Sequence, residues 1–294
     1  MNKDVSILRA FTDGPEGGNL AGVVLLSGDF QMSEQEMQTL ATELNFSETA
    51  FVEEKGDHRF SIRYFTPACE VPVCGHATIA SFSLLKQNGI IEDGNYKLLT
   101  SEDELSIEVE GDMVWMEMSD PVIESSVDEQ TIKEICDAYE IDVTDLSEEF
   151  SPQIIRAGIK DIHVCVKNHD VLMKARQNAP KVSEISERFQ VAGVHMSCLA
   201  EQKDITAYCS NFAPFYGIDE ECATGTSNAG LTYYLYKKGR IEPGQENCFL
   251  QGEHMGCPSK IYTKIIAEGD RESVWVGGKA FLYEERMIDV KSEY

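Results

Sequence analysis

Two stretches, FTPACEVPVCGHAT at Phe65–Thr78 and FAPFYGIDEECATGTSN at Phe212–Asn228, share one grammar. Each reads as a strand closing on Phe-x-Pro, a loop, and a turn of small residues that opens an apolar helix. The two leading phenylalanines stand half the chain's length apart. That spacing predicts a duplicated strand, turn and helix unit whose two turns face each other, making one active site from two half-sites.

Working outward, Val5–Phe11 alternates as a strand, and the turn Asp13–Gly18 leads through Asn19 into a second strand at Ala21–Leu26. Ser33 opens a helix to Leu44, with apolar Met37, Leu40, Ala41 and Leu44 at three- and four-residue spacing and Glu36 completing a capping box. Ala50–Glu53 and Arg59–Phe65 read as a hairpin. The helix Ala77–Gln87 is apolar on nearly every side, which predicts that strands surround it. Further strands are expected at Tyr96–Thr100, Leu105–Val109 and Met113–Met118. The polar segment 120–128, with Pro121, is read as a domain boundary. The second half repeats the theme: a surface helix at Glu129–Tyr139, strands near Ile154–Ala157, His163–Val166 and Gly193–Ala200, and another leading to Phe212. Its central helix is expected over Thr226–Lys238, followed by strands at Lys260–Ala267 and Val274–Tyr283. One apolar helix among many strands in each half predicts an α+β fold of two barrel-like, mostly antiparallel sheets, each around a central helix. The expected domains are 1–122, with a tail at about 284–294 returning to it, and 123–283.

The chain has 294 residues, an apolar fraction of 42% and a charged fraction of 26%, in the range of ordinary globular proteins. Nine scattered cysteines with no CxxC pair suggest free thiols rather than a disulfide framework or a zinc knuckle. A net charge of −26 opposes binding to phosphate backbones, so no nucleic-acid partner is expected. The same field repels an anionic metabolite, so a carboxylate substrate needs local compensation, for which helix N-termini are suited. No membrane span is read, and the opening MNKDVSILRAF lacks the apolar core of a signal peptide. A cytoplasmic location is expected.

Three places could carry chemistry. In NFSETAF, Glu48 follows a helix and precedes a strand; alone, such a glutamate is more often solvated. At Cys74, Gly75 and His76, glycine allows close approach of a ligand, and helix-opening amides can bind a carboxylate or a developing enolate. His76 could equally cap that helix. In Glu220–Thr226, adjacent carboxylates at an anion-binding turn suggest that one is an acid or base, against the plainer reading of an acidic loop favoured by the helix dipole.

Read together, AFTDGPEGGNLAGVV, LNFSETAFV, RYFTPACEVPVCGHATIAS, FAPFYGIDEECATGTSN, QGEHMGCPSKIY and VWVGGKA resemble, in order, the phenazine-biosynthesis PhzF-like proteins, which share the fold of diaminopimelate epimerase and proline racemase. The resemblance implies two pseudo-symmetric domains with a site in the cleft between them, and an isomerase acting on a small carboxylate. It places Glu48 as the acid/base glutamate and His76 as the site histidine. Glu221 falls where the family usually has aspartate, in a motif like EDPATGS. Gly75 and Thr226, with Gly225 in the same turn, match positions that hold the substrate carboxylate, and Asn19 matches an asparagine near the pocket. A homodimer is expected by the same resemblance.

In the reading this favours, Glu48 moves a proton between carbons of the substrate. Burial is expected to raise its pKa, and His76 and Glu221 orient or relay protons. No metal, nicotinamide or pyridoxal phosphate is expected, since neither GxGxxG nor HExxH occurs. A rival arises because CGHAT and CATGTS also resemble the cysteine turns of the racemases: Cys74 and Cys222 would then be opposed thiol bases, their pKa lowered at helix N-termini. A third reading is a non-catalytic carboxylate-binding protein.

Overall fold

A computed structural model describes residues 2–26, 32–118, 121–269 and 271–289. By packing, the chain divides into two units, 1–117 with 277–294, and 118–276. The first division falls just before the polar segment 120–128 read as the boundary, and that segment contains the strand Val122–Ser126 (β9).

In the first unit β1 (Asn2–Ala10) pairs antiparallel with β2 (Asn19–Leu26), and β2 pairs parallel with β3 (Glu48–Gly56). β3 pairs antiparallel with β4 (Arg59–Phe65), and β4 antiparallel with the short β5 (Glu70–Val71). β4 then runs parallel to β6 (Gly94–Leu99), which pairs antiparallel with β7 (Glu104–Glu110), and β7 with β8 (Met113–Glu117). The helix α1 (Glu34–Leu44) crosses between β2 and β3, as a parallel connection requires. The apolar helix α2 (Gly75–Gln87) packs against β1, β2, β3 and β8, which is why ten of its residues are buried without a polar face.

The second unit repeats these pairings. β10 (Gln153–Ala157) is antiparallel to β11 (Ile159–Cys165), which is parallel to β12 (Val194–Leu199). β12 is antiparallel to β13 (Ala207–Ala213), and β13 antiparallel to β14 (Ile218–Glu221). β13 is parallel to β15 (Asn247–Gln251), and β15 antiparallel to β16 (Ser259–Glu268). The central helix α6 (Gly225–Lys237) packs on β10, β11 and β16. The helix-centred, mostly antiparallel architecture expected of each half is therefore present.

Three local expectations need correction. The connection from β11 to β12 holds two helices, α4 (His169–Lys174) and α5 (Ala179–Phe189), in addition to the expected surface helix α3 (Glu129–Ala138). The run Val274–Tyr283 is two strands, β17 (Arg271–Gly278) and β18 (Ala280–Asp289), interrupted at Lys279, whose carbonyl accepts from the Phe11 amide at 2.8 Å. Phe11 itself turns out of β1 with a φ of 65° and lies over Gly278, where an added Cβ would meet its ring at 2.6 Å.

Candidate active site

Local sequence fixes Glu48. The Ser33 side chain caps α1 and Glu36 returns to the Ser33 amide, while Asn45 ends the helix in the left-handed conformation with a φ of 52°. The chain then has only Phe46 and Ser47 before Glu48 starts β3, opposite Ala21 of β2. Across the same unit, Arg63 clamps Glu70 with bonds of 2.7 and 2.6 Å, fixing the turn after β4. Thr78 donates to the Cys74 carbonyl at 2.7 Å, so the buried Tyr64 hydroxyl, 2.6 Å from Thr78 Oγ1, is the donor to it. These bonds hold the first turn of α2 against β4 and place His76.

His76 Nε2 lies 3.1 Å from Glu48 Oε2 and 3.3 Å from Ser47 Oγ, and Nδ1 lies 3.4 Å from Cys74 Sγ. The carboxylate approaches at ion-pair distance without hydrogen-bond alignment: Glu48 Oε2 is buried and has no hydrogen-bond partner among the described residues. Burial disfavours the Glu48 charge, but the His76 imidazole, with help from Ser47 and Cys74, outweighs it and holds the carboxyl below its usual value of 4.5. This reverses the expectation that burial would raise it. Burial likewise opposes the charge on His76, yet the neighbouring sulfur and carboxylate raise its pKa well above 6.5. Glu48 and His76 therefore each favour the other's charged form. Cys74 is raised by burial, so it is a thiol beside this pair and not the low-pKa thiolate expected at a helix start.

In the second unit Glu221 turns inward to its own loop, accepting from Thr224 Oγ1 at 2.8 Å. Gln251, fully buried, organises this turn: its Nε2 donates to the Glu221 carbonyl at 2.7 Å and to Thr224 Oγ1 at 2.9 Å, and its Oε1 accepts from Asn228 Nδ2 at 2.8 Å. Glu220 diverges to His254, 3.3 Å away, and burial raises its pKa although His254 and Ser210 oppose the rise. Cys222 is only half-buried, lies 3.7 Å from Met255 Sδ, and is pushed up to about 12 by burial, by Cys257 and by the adjacent glutamates. It too departs from the expected low-pKa thiol.

Both central helices start at glycine, Gly75 and Gly225, after an extended N-cap residue, Cys74 or Thr224, that makes no side-chain cap. Their first amides are therefore arranged for an anion. Thr226 is half-buried in the first turn of α6, and Asn19 is half-buried at the start of β2 opposite Ala10. Thus Glu48, Cys74, Gly75 and His76 come together in one unit, and Glu221, Cys222, Gly225 and Thr226 in the other. Ser47 and Gln251 were not singled out from sequence; the one signal for Gln251 was its place before Gly252 in the closing QGEHMG motif.

The donors Glu48, Cys74 and His76, one ligand atom each, lie within 4.8 Å of one another and are the group among the described residues that could hold a metal ion. No described helix is long and apolar enough to cross a membrane.

A model of the PhzC-PhzF family, described as phenazine biosynthesis-like protein, matches residues 8–286. The chain belongs to this family. An uncharacterized isomerase of Clostridium acetobutylicum is 33% identical over 78% of the chain and 77% of its own length. The uncharacterized isomerase YfhB of Bacillus subtilis is 28% identical over 98% of the chain and 100% of its own length. Among solved structures, a PhzF-family protein of Bacillus anthracis superposes with a TM-score of 0.89 at 22% identity, covering 99% of this chain and 100% of that one. A hydroxyproline epimerase of Agrobacterium vitis, with trans-4-hydroxy-L-proline bound, superposes with a TM-score of 0.60 at 12% identity over 98% and 92% of the two chains. At these identities the structures establish the fold. With relatives named isomerases that match 78% and 98% of the chain, this member of the PhzC-PhzF family is an isomerase.

Proposed function

We propose that the protein is a cofactor-independent isomerase that moves a proton on a small carboxylic acid, with Glu48 as the base and His76 as its charged partner. The observation that carries this reading is the buried Glu48–His76 pair at 3.1 Å, flanked by Ser47. A carboxylate held below pKa 4.5 is a weak base for a carbon acid, so base strength is not what this site supplies. The compensation lies in the imidazolium, which donates to the oxygen on which enolate charge develops, and in the amides at the start of α2. As Glu48 takes the substrate proton, its attraction for His76 weakens, freeing the imidazolium to turn toward that oxygen. Gly75 is the point of close approach for the substrate carboxylate, and Gly225 with Thr226 forms the corresponding anion-binding turn of the second unit. Glu221, committed to Thr224, shapes that turn.

The thiol reading is disfavoured because both Cys74 and Cys222 are pushed up, so neither is a thiolate near neutrality.

The test is proton NMR of pooled cyclic hydroxy acids, dihydroanthranilate-like acids and both enantiomers of amino acids in deuterated water. Exchange at a carbon position by the wild type, reduced by about 10³-fold in Glu48→Gln, is expected. Exchange that survives Glu48→Gln and disappears in Cys74→Ser or Cys222→Ser would overturn the proposal.

A further inference from the structure

We propose that Glu48, Cys74 and His76 form a binding site for one borderline-soft divalent cation of the zinc type, and that an ion bound there blocks the proton-transfer centre. The blocking part rests on the reading of Glu48 and His76 given above; the binding part stands on geometry alone.

The donor set is one oxygen, one sulfur and one imidazole nitrogen, a combination that favours zinc, cobalt or cadmium over calcium or magnesium, which require several oxygens. Bonds of roughly 2.0–2.1 Å to nitrogen and oxygen and about 2.3 Å to sulfur, at tetrahedral angles, put neighbouring donors about 3.4 to 3.6 Å apart. Here Glu48 Oε2 and His76 Nε2 are 3.1 Å apart, and Cys74 Sγ and His76 Nε2 are 3.8 Å apart. All three donors lie within 4.8 Å of one another, and because Cys74 Sγ sits nearer Nδ1, at 3.4 Å, than Nε2, the Cys74 and His76 side chains must turn by roughly an ångström or more to close the site around an ion. Glu48 Oε2 is a buried oxygen with no hydrogen-bond partner among the described residues, and a cation at this point would satisfy it. Burial costs little access, because the Glu48 side chain remains 20% exposed while that of His76 is 7% exposed. Three protein ligands leave the fourth position to water or to a substrate carboxylate. On binding, the Cys74 thiol proton and the second ring proton of His76 pass to solvent, and Glu48 is withdrawn from base duty.

Cobalt(II) is the probe, because thiolate ligation gives it a charge-transfer absorption and tetrahedral geometry gives strong visible bands. Titrating the full chain should produce both signals, saturating at one equivalent and displaced stoichiometrically by zinc. Cys74→Ser and Cys74→Ala should abolish the charge-transfer band, Glu48→Gln should weaken binding by about tenfold or more, and Cys69→Ser, which alters an exposed thiol, should leave the titration unchanged. Circular dichroism of each variant establishes that it is folded. A titration that never saturates at one equivalent, or a band that persists in folded Cys74→Ser, would overturn the site. Zinc binding that leaves deuterium exchange intact would overturn the blocking step alone, and exchange measured without metal tests the proton-transfer reading separately.

Discussion

The two units run through the same series of antiparallel and parallel pairings and each turns into a central helix of 13 residues that starts at glycine. Their buried polar groups are nevertheless of opposite character. Beneath α2 the first unit sets a carboxylate against an imidazole, and each stabilises the other's charge. Around α6 the second unit buries Asp161, His163 and His195 with their charges suppressed. Ser227 donates to Asp161 at 2.5 Å and Asn211 to Ser227 at 2.9 Å, yet burial still pushes Asp161 up to about 6. His163 and His195 face each other across β11 and β12 with ring centroids 5.3 Å apart, and burial drives both pKa values down, that of His195 to about 3. One pairing pattern thus carries a mutually stabilised carboxylate and imidazole at the start of α2 and a core of charge-suppressed polar groups around α6. The pairing pattern does not determine which; the side chains facing the helix do.

The largest way to break the comparison is at the charged pair. Beyond the loss in Glu48→Gln, His76→Gln should lower exchange by about 10²-fold, while the wild-type pH profile should be bell-shaped. Its acid limb falls below 4.5 as Glu48 takes a proton, and its alkaline limb lies above 6.5 as His76 loses one. An alkaline limb below 6.5 would contradict the pairing. In the second unit, Gln251→Met leaves the Glu221 carbonyl, Thr224 and Asn228 short of partners and should cost about 2–3 kcal/mol in urea unfolding, against little change if water replaces the amide. The sixth residues of the two helices, Ala80 and Gly230, give a smaller contrast. An added methyl at Gly230 would meet His163 Nε2 at 2.8 Å, so Gly230→Ala should destabilise by about 1–3 kcal/mol. A neutral result would show that the histidine moves freely. Acid stability follows from the suppressed charges. The unfolded chain takes protons on His163 and His195 below 6.5 whereas the folded chain resists, down to about 3 for His195, so stability is lost as the pH is lowered through that window. Asp161, raised from 3.8 to about 6, works in the other direction between those values and only partly offsets the two histidines. Replacing both histidines by apolar residues should flatten the pH dependence of thermal unfolding if the protein folds. The smallest effect expected is at Cys222→Ser, with exchange unchanged to within about twofold, because a thiol near 12 contributes no base.

Where a periodic pattern ran for several turns or strands, the sequence was informative. The Ser33–Glu36 box and the apolar spacing of α1 specify a helix whose end sets Glu48, and Ala77–Gln87, apolar on nearly every side, declares a helix surrounded by strands and buried as far as Leu85. The helices α4 and α5 were harder to read. The six residues of α4 are too few to show a period, and the signal for α5, Asn178 capping Lys181 with a proline in the first turn, is local punctuation. The break at Lys279 depends on Phe11 folding onto Gly278, a contact between residues far apart in the chain. The charge states failed for the same reason. Burial could be anticipated for Glu48, but the imidazole that overrides it is 28 positions away and acts only through the fold.

The most direct test of the asymmetry between the units is a nitrogen-15 NMR titration of the histidine side chains in the full chain. The account predicts that His76 is an imidazolium at neutral pH and loses its proton only well above 6.5, while His163 and His195 stay neutral as the pH falls below 6.5. A neutral His76 at pH 7, or His163 and His195 titrating together with it near 6.5, would contradict it.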